Sequence, residues 1–158
     1  MILPEEYDLP GLDDSKKLSL KKREELFEQI QRQAIAWAVA SATLGEIEEL
    51  NILWAAMLAM RRAVEALAIK ADYALIDGQV KPRLQIPCAA IVRGDALCAS
   101  IAAASILAKV ARDRHMQWLD TQYPGYGFAR HKGYATKAHY AALEELGPCE
   151  IHRKSFLK

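Results

Sequence analysis

Residues 73–109 read YALIDGQVKPRLQIPCAAIVRGDALCASIAAASILAK, two short apolar runs followed by a stretch of small residues. The first run ends at Asp77, directly before Gly78, and the second covers residues 89–92 and leads to Asp95. Short apolar runs bounded by turn residues are typical of buried strands. The sequence therefore predicts two neighbouring strands, each of which carries a carboxylate at its C-terminal end.

Carboxylates at the ends of neighbouring strands can hold a divalent metal ion, because Mg²⁺ prefers oxygen ligands. A pair of such ions can clamp the attacking and the leaving oxygen of a phosphodiester. Each carboxylate also has a structural interpretation. Asp77 precedes Gly78, as aspartates in turns often do, and Asp95 precedes a predicted helix, whose positive end favours an acid. From the residues alone, both interpretations stay open.

The rest of the chain predicts a mixed α/β protein. Helices are predicted over residues 19–33, 45–67, 99–123 and 136–146. In the second of these, Trp54, Met57 and Met60 recur at helical spacing, which favours core positions. Residues 34–43 alternate large apolar side chains with alanines, a period of two that favours a further, half-buried strand.

Length and composition indicate one ordinary globular domain over residues 1–158, with a helical and basic region from about residue 124. The chain is 52% apolar and 26% charged. We expect no membrane partner, because no apolar run approaches the roughly 18 residues of a membrane span. The first residues lack the pattern of a signal peptide, so the cytoplasm is the expected compartment. Three cysteines without metal-ligand spacing predict neither a disulfide framework nor a zinc site.

Positive charge is concentrated in the last third of the chain, although the formal net charge is only +1. Residues 109–158 hold a surplus of basic over acidic side chains: Lys109, Arg112, Arg114, Arg130, Lys132, Lys137, Arg153, Lys154 and Lys158 against Asp113, Asp120, Glu144, Glu145 and Glu150. A basic face is what a polyanionic partner requires. A solvated surface without a partner is the alternative explanation.

Several motifs together resemble those of the type 2 ribonucleases H, in particular bacterial ribonuclease HII. They are LDDSKKL at 12–18, ELNIL at 49–53, LIDG at 75–78, GD at 94–95, AAASILAKVARD at 102–113 and HKGY at 131–134. The resemblance spans nearly the whole chain. It implies an endonuclease of DNA replication and repair that uses Mg²⁺ or Mn²⁺. Its substrates would be the RNA strand of RNA/DNA hybrids and single ribonucleotides embedded in duplex DNA.

The resemblance also implies roles for particular residues. Asp77 and Asp95 match two of the four carboxylates of the family's metal site and would be the catalytic metal ligands. Tyr134 matches a tyrosine that packs on a sugar and reaches its 2′-hydroxyl, a group that distinguishes RNA from DNA. Phosphate contacts, which make binding dependent on salt, are expected from a basic set: Lys16, Lys17, Lys109, Arg112, Lys132 and Arg153. The family's C-terminal basic segment matches residues 152–156. For Asp113, within the predicted helix, we favour an ion pair.

The family's other two carboxylates belong to an Asp-Glu pair before Gly-Arg-Gly, and neither sequence occurs in this chain. We therefore expect a ribonuclease H-like mixed sheet flanked by helices, without its first strand and most of its second. Two carboxylates offer few ligands to a metal pair, so reduced activity is expected. The alternative is a non-catalytic or unstable remnant that at most binds hybrid duplexes. We expect a monomer, although exposed sheet edges favour aggregation or completion by another chain.

Overall fold

The fold is mixed α/β, as predicted, in a computed structural model that describes residues 1–153, Ser155 and Leu157. The predicted basic positions Lys154 and Lys158 lie outside the described residues, as does Phe156 of the predicted C-terminal segment. Within the described part of the chain, the helices and strands are α1 (Leu20–Gln33), α2 (Leu44–Glu65), β1 (Ala74–Asp77), β2 (Cys88–Ile91), α3 (Gly94–Leu97), α4 (Ala99–Gln122), α5 (Phe128–His131) and α6 (Lys137–Leu146).

Strands β1 and β2 form a two-stranded parallel sheet in which Ala74 pairs with Cys88 and Asp77 with Ile91. Parallel strands end at the same edge of a sheet, so the chain segments that follow β1 and β2 leave from neighbouring points. The prediction that Asp95 ends the second strand is wrong. Strand β2 ends at Ile91, Arg93 adopts a left-handed conformation with φ 59°, and Asp95 lies in the first turn of α3.

Residues 34–43 do not form the predicted strand. The backbone bonds there join Ile2 to Ile35 and Ala36, and they make one isolated antiparallel bridge. The alternation is real but inverted, because Ile35 is 50% exposed whereas Ala36 is 5% exposed. A period of two predicts which side chains share a face, but a strand also needs a continuous hydrogen-bonded neighbour.

The predicted helices are confirmed, and three of them begin at a hydroxyl side chain. Ser19 caps α1 by accepting from the backbone N–H of Lys22. Thr43 caps α2 and Thr136 caps α6 in the same way, each by accepting from the N–H three residues further along the chain. Such side chains satisfy backbone N–H groups that have no partner inside the helix, so the starts of these helices are fixed by local sequence.

Helix α2 is interrupted at Asn51, whose backbone leaves the helical region with φ 66° and ψ 167°. The Asn51 side chain accepts from the N–H groups of Leu53 and Trp54, at 3.0 and 3.3 Å, and so caps the second part of the helix. The core prediction holds for Met57, which is 8% exposed, and is wrong for Trp54, which is 46% exposed. Met60 is half-buried. All three residues follow the break and belong to the same helical part of α2, so helical spacing predicted that they share a face but not how much of each side chain the rest of the protein covers.

The chain divides into two compact units, Met1–Lys109 and Val110–Lys158, and α4 runs from one into the other. The first unit buries apolar side chains of α1, the sheet and the first half of α4, among them Leu26, Ile30, Ile76, Ile106 and Leu107. The second has its own cluster of Met116, Leu119, Tyr126, Phe128 and Ala142. Among the described residues, no helix is both long and apolar enough to cross a membrane.

Candidate functional site

The first predicted metal ligand, Asp77, is held at the end of β1. Its Oδ1 accepts from the backbone N–H of Gly94 at 2.8 Å, and Gly78 N–H donates to the Ile91 carbonyl at 3.0 Å. Gly94 is buried, and a Cβ there would lie 2.5 Å from Cδ1 of Ile101 and 3.4 Å from Asp77 Oδ1. The missing side chain of Gly94 thus allows the turn before α3 to lie against the Asp77 carboxylate.

Asp77 and Asp95 line one open cleft of about 540 Å³ in the first unit. Two of the predicted phosphate-binding residues, Lys16 and Lys17, line it too. The complete lining is Asp14, Lys16, Lys17, Asp77, Gly78, Arg93, Asp95 and Ala96. Sequence reasoning did not assign site roles to Asp14 or Arg93, although Asp14 lies within the quoted motif at 12–18. A cleft of mixed charge is suited to a cation together with the phosphates of a polyanion.

Residues 13–17 are folded by local polar contacts. Asp14 accepts from the Lys16 N–H at 2.9 Å, and Asp13 pairs with the Lys17 ammonium at 3.1 Å. The hydrogen bond to Asp13 and the charges of Asp13, Asp14 and Asp95 raise the pKa of Lys17. Lys17 is therefore a fixed positive charge at neutral pH, within electrostatic reach of Asp95.

The donor set at the cleft suits a hard cation, because carboxylate oxygens are the ligands that Mg²⁺ and Mn²⁺ favour. Among the described residues, no group of three or more His, Cys, Asp or Glu side chains is arranged to hold a metal ion. Mg²⁺ is often bound through one or two carboxylates, with water and substrate phosphate as the other ligands. Asp77 and Asp95 fit that kind of site.

The predicted tyrosine lies on a turn in the second unit, between α5 and α6. Lys132 and Gly133 have positive φ values of 55° and 79°, and Tyr134 is 66% exposed. The Arg112 guanidinium donates to the Lys132 carbonyl across a long 3.4 Å contact. Desolvation of this guanidinium and repulsion from Arg153 lower the pKa of Arg112. The turn therefore presents Tyr134 to solvent beside basic side chains.

Three buried histidines support this turn: His131, His139 and His152, each 7–8% exposed. His131 accepts from the Gly133 N–H at 3.2 Å, and His139 contacts the Tyr134 carbonyl at 3.0 Å. Sequence reasoning did not single out His139. Its place three residues after the capping Thr136 was the only sequence signal, and it does not show burial.

The other predicted contacts divide between the two units. Lys109 is half-buried on α4 in the first unit, and Arg153 is half-buried in the second. Asp113, for which an ion pair was predicted, is 4% exposed on α4. The phosphate-binding roles of the basic residues stay predictions.

Comparison with known proteins gives one family. The ribonuclease HII family model matches residues 4–158. Ribonuclease HII of Dechloromonas aromatica is 60% identical over 156 residues, which are 99% of this chain and 80% of the relative. Ribonuclease HII of Desulfitobacterium hafniense is 57% identical, with 98% of this chain and 60% of the relative covered. That of Myxococcus xanthus is 55% identical, with 98% and 53% covered. The chain thus spans between about half and four fifths of these relatives.

Solved structures agree on the fold. Ribonuclease H2 from Pyrococcus horikoshii matches with a TM-score of 0.73 and 27% identity, covering 92% of this chain and 77% of that one. Ribonuclease HII from Archaeoglobus fulgidus, solved in a complex with PCNA, matches with a TM-score of 0.67 and 23% identity, covering 94% and 79%. Together with the site's carboxylates and the family match over residues 4–158, these likenesses lead to one conclusion: the chain belongs to the ribonuclease HII family, which is a family of type 2 ribonuclease H hydrolases.

Proposed function

We propose that this chain is an endonuclease that cleaves the RNA strand of RNA/DNA hybrids, including single ribonucleotides embedded in duplex DNA. The observation that carries the proposal is the cleft in which Asp77 and Asp95 lie together with Lys16, Lys17 and Arg93. Carboxylates for a cation and ammonium or guanidinium groups for phosphates are the parts that phosphodiester hydrolysis requires.

In the proposed reaction, Asp77 and Asp95 would hold Mg²⁺ or Mn²⁺. When bound, the cation supplies charge stabilisation at the phosphate and activates water for an in-line attack. Asp77 accepts a backbone hydrogen bond through Oδ1, which orients the carboxylate and leaves its other oxygen for the cation. Lys16 and Lys17 would attract the phosphates, and the products would be 5′-phosphate and 3′-hydroxyl ends.

Tyr134 would supply the preference for RNA. Its side chain is exposed on a turn whose backbone is held by buried groups, so the ring is available to pack on a sugar. A tyrosine hydroxyl can also hydrogen-bond the 2′-hydroxyl, which DNA lacks. The phosphates on either side of that ribose would be contacted by Arg112, Lys132 and Arg153.

The deciding experiment is Mg²⁺- and Mn²⁺-dependent cleavage of a DNA duplex that holds one ribonucleotide. Asp77→Asn keeps an acceptor for the Gly94 N–H but removes the charge, and we expect it to lose at least about 100-fold in rate, because metal charge stabilisation is worth several kcal/mol. Asp72→Asn makes the same change at an exposed residue outside the cleft lining and should cleave like the wild type. Equal cleavage by all three proteins would reject the assignment of Asp77.

A chain that binds hybrids without cutting them is the second candidate. It is favoured by the finding that, among the described residues, no group of three metal-binding side chains is arranged for a metal ion. Salt-sensitive binding of the hybrid without any cleavage, in either metal, would support this candidate over the first. A cytoplasmic location and a monomeric state stay predictions.

A further inference from the structure

The turn that carries Tyr134 is held through its backbone by the buried histidines. His139 Nδ1 lies 3.0 Å from the Tyr134 carbonyl oxygen, which also accepts from the Thr136 N–H at 2.8 Å. His139 Nε2 lies 3.1 Å from Nε2 of His152. The rings of His131 and His139 stack with their centroids 4.2 Å apart. The Tyr134 carbonyl is therefore one end of a hydrogen-bond network that runs through the buried histidines.

The backbone partners determine which ring nitrogen of each histidine in this network carries the proton. A carbonyl can only accept, so His139 donates from Nδ1, and its Nε2 in the neutral ring is an acceptor. His152 Nδ1 faces the Cys149 N–H at 3.0 Å and must accept from it. The longer 3.3 Å approach of the same nitrogen to the Cys149 carbonyl would require it to donate, which would set two N–H groups against each other. His152 therefore carries its proton on Nε2 and donates to His139.

Adding a proton to either histidine would break one of the hydrogen bonds in the network. Protonation of His139 would set two N–H groups against each other across the 3.1 Å contact, and protonation of His152 would do so at the Cys149 N–H. Among the described residues, the titratable groups that contact the pair are His131 on α5, the Cys149 thiol and Tyr126. Burial is the largest cause and lowers the pKa of both His139 and His152, and the charge of neighbouring histidines lowers it too, whereas the hydrogen bonds to the backbone of Tyr134 and Cys149 act in the opposite direction.

We propose that His139, supported by His152, is a positioning residue that holds Tyr134 for ribose recognition, and that it does so only while both histidines are neutral. The proposal rests on the ribose contact proposed above for Tyr134. Acidification then breaks the contact between His139 and His152 that holds the His139 ring in place, and the preference for a ribonucleotide falls while binding to phosphates persists.

The tautomers can be measured directly in the full chain by ¹⁵N-edited NMR spectra of the histidine rings. At pH 7.5 we expect a proton on Nδ1 of His139 and on Nε2 of His152, and amide shifts of residues 133–136 that change together with the two rings on acidification. The opposite tautomers, or amide shifts that stay constant while the rings titrate, would overturn the proposal.

The functional test is the ratio of the Kd for an all-DNA duplex to the Kd for the same duplex with one ribonucleotide, measured in EDTA to prevent cleavage. In the wild type we expect the ratio to fall several-fold between pH 7.5 and 5.0, because the lowered pKa values of His139 and His152 place their titration below 6.5. His139→Asn keeps a donor near the Tyr134 carbonyl without a titrating ring, so its ratio should stay high and vary less with pH. His139→Phe removes the donor and should show a low ratio at both pH values.

Tyr134→Phe separates this proposal from the proposed function. If it lowers the ratio while the His139 variants match the wild type at both pH values, the positioning role is wrong and the ribose contact stands. If Tyr134→Phe leaves the ratio unchanged, the hydrogen bond to the 2′-hydroxyl fails; if Tyr134→Ala, which also removes the ring, leaves it unchanged too, the ribose contact fails, and the positioning role fails with it. Loss of metal-dependent cleavage alone would leave the binding ratio intact and would count only against the nuclease proposal. Should His139→Phe not fold, His152→Asn, which keeps an acceptor for the Cys149 N–H, replaces it and should lower the ratio.

Discussion

At the scale of single residues, the candidate site depends on a glycine, Gly94, as much as on its charged side chains. Asp77 could be recognised from its position after an apolar run, and the structure confirms that it ends β1. The contribution of Gly94 could not be recognised, because it depends on Ile101, which approaches from α4. Local sequence predicts where a carboxylate lies along a strand, whereas its hydrogen-bond donor comes from another element.

Gly94→Ala should destabilise the protein by about 1–3 kcal/mol, the usual cost of overpacking. The new Cβ would lie 2.5 Å from Cδ1 of Ile101, and Ile101 is itself buried at 6% exposure and cannot move away freely. Gly45→Ala is the matched control, because nothing lies within 4 Å of its Cβ position in α2. It should stabilise the protein by roughly 0.4–1 kcal/mol, because alanine leaves the unfolded chain fewer conformations than glycine does. Urea unfolding measures both, and equal effects would contradict the packing argument.

Glu46 gives a prediction about acid stability. Hydrogen bonds from Arg62 and from the Thr43 backbone lower the pKa of Glu46 from 4.5 to about 2. A carboxyl group whose pKa is lower in the folded state stabilises the protein at pH values above its unfolded-state pKa. This stabilisation is lost as the pH falls from about 4.5 towards 2. Thermal unfolding should therefore show a larger loss of Tm over this range for the wild type than for Glu46→Gln. Parallel curves would show that the pair of Glu46 and Arg62 makes no measurable contribution to stability, which is common for exposed ion pairs.

At the scale of elements, helix and strand predictions differed in success for a physical reason. The caps of α1 and α6 and the small-residue stretch that opens α4 are local features, and these helices were predicted to within one or two residues. Residues 34–43 have the alternation of a strand, but strand formation depends on a partner that the sequence pattern does not specify. The short helices α3 and α5 follow residues with positive φ, Arg93 and Gly127, and were not predicted.

The break in α2 leads to a prediction for Asn51. Its φ of 66° with ψ of 167° lies in a region that is nearly restricted to glycine and costs about 1–3 kcal/mol for other residues. Asn51→Ala keeps this strain and loses the cap on Leu53 and Trp54, whereas Asn51→Gly loses the cap but relieves the strain. We expect the Gly variant to be more stable than the Ala variant by about 1 kcal/mol or more in urea unfolding. The reverse order, which helix propensity alone would give, would indicate a continuous helix at this position.

At the scale of the whole molecule, the distribution of charge predicts how duplex binding responds to salt. Lys132 lies on the turn next to Tyr134, and if it contacts one phosphate, Lys132→Ala should reduce the slope of log K against log salt by about 0.9. Lys70→Ala removes the same charge from an exposed position in the first unit and should leave the slope unchanged. Fluorescence anisotropy over a salt series gives both slopes. An equal reduction in the two variants would indicate a response to net charge without a specific contact.

The sequence by itself determined the mixed α/β class, the main helices and the family, and it predicted the two aspartates as metal ligands, because each depends on residues that are close in the chain or on matched motifs. Tertiary structure decided which side chains share the cleft, adding Asp14 and Arg93 to Asp77 and Asp95. It also brings His139 of α6 into contact with His152, thirteen residues further along the chain. Hydrogen bonds between distant residues set these features, and no local pattern encodes them.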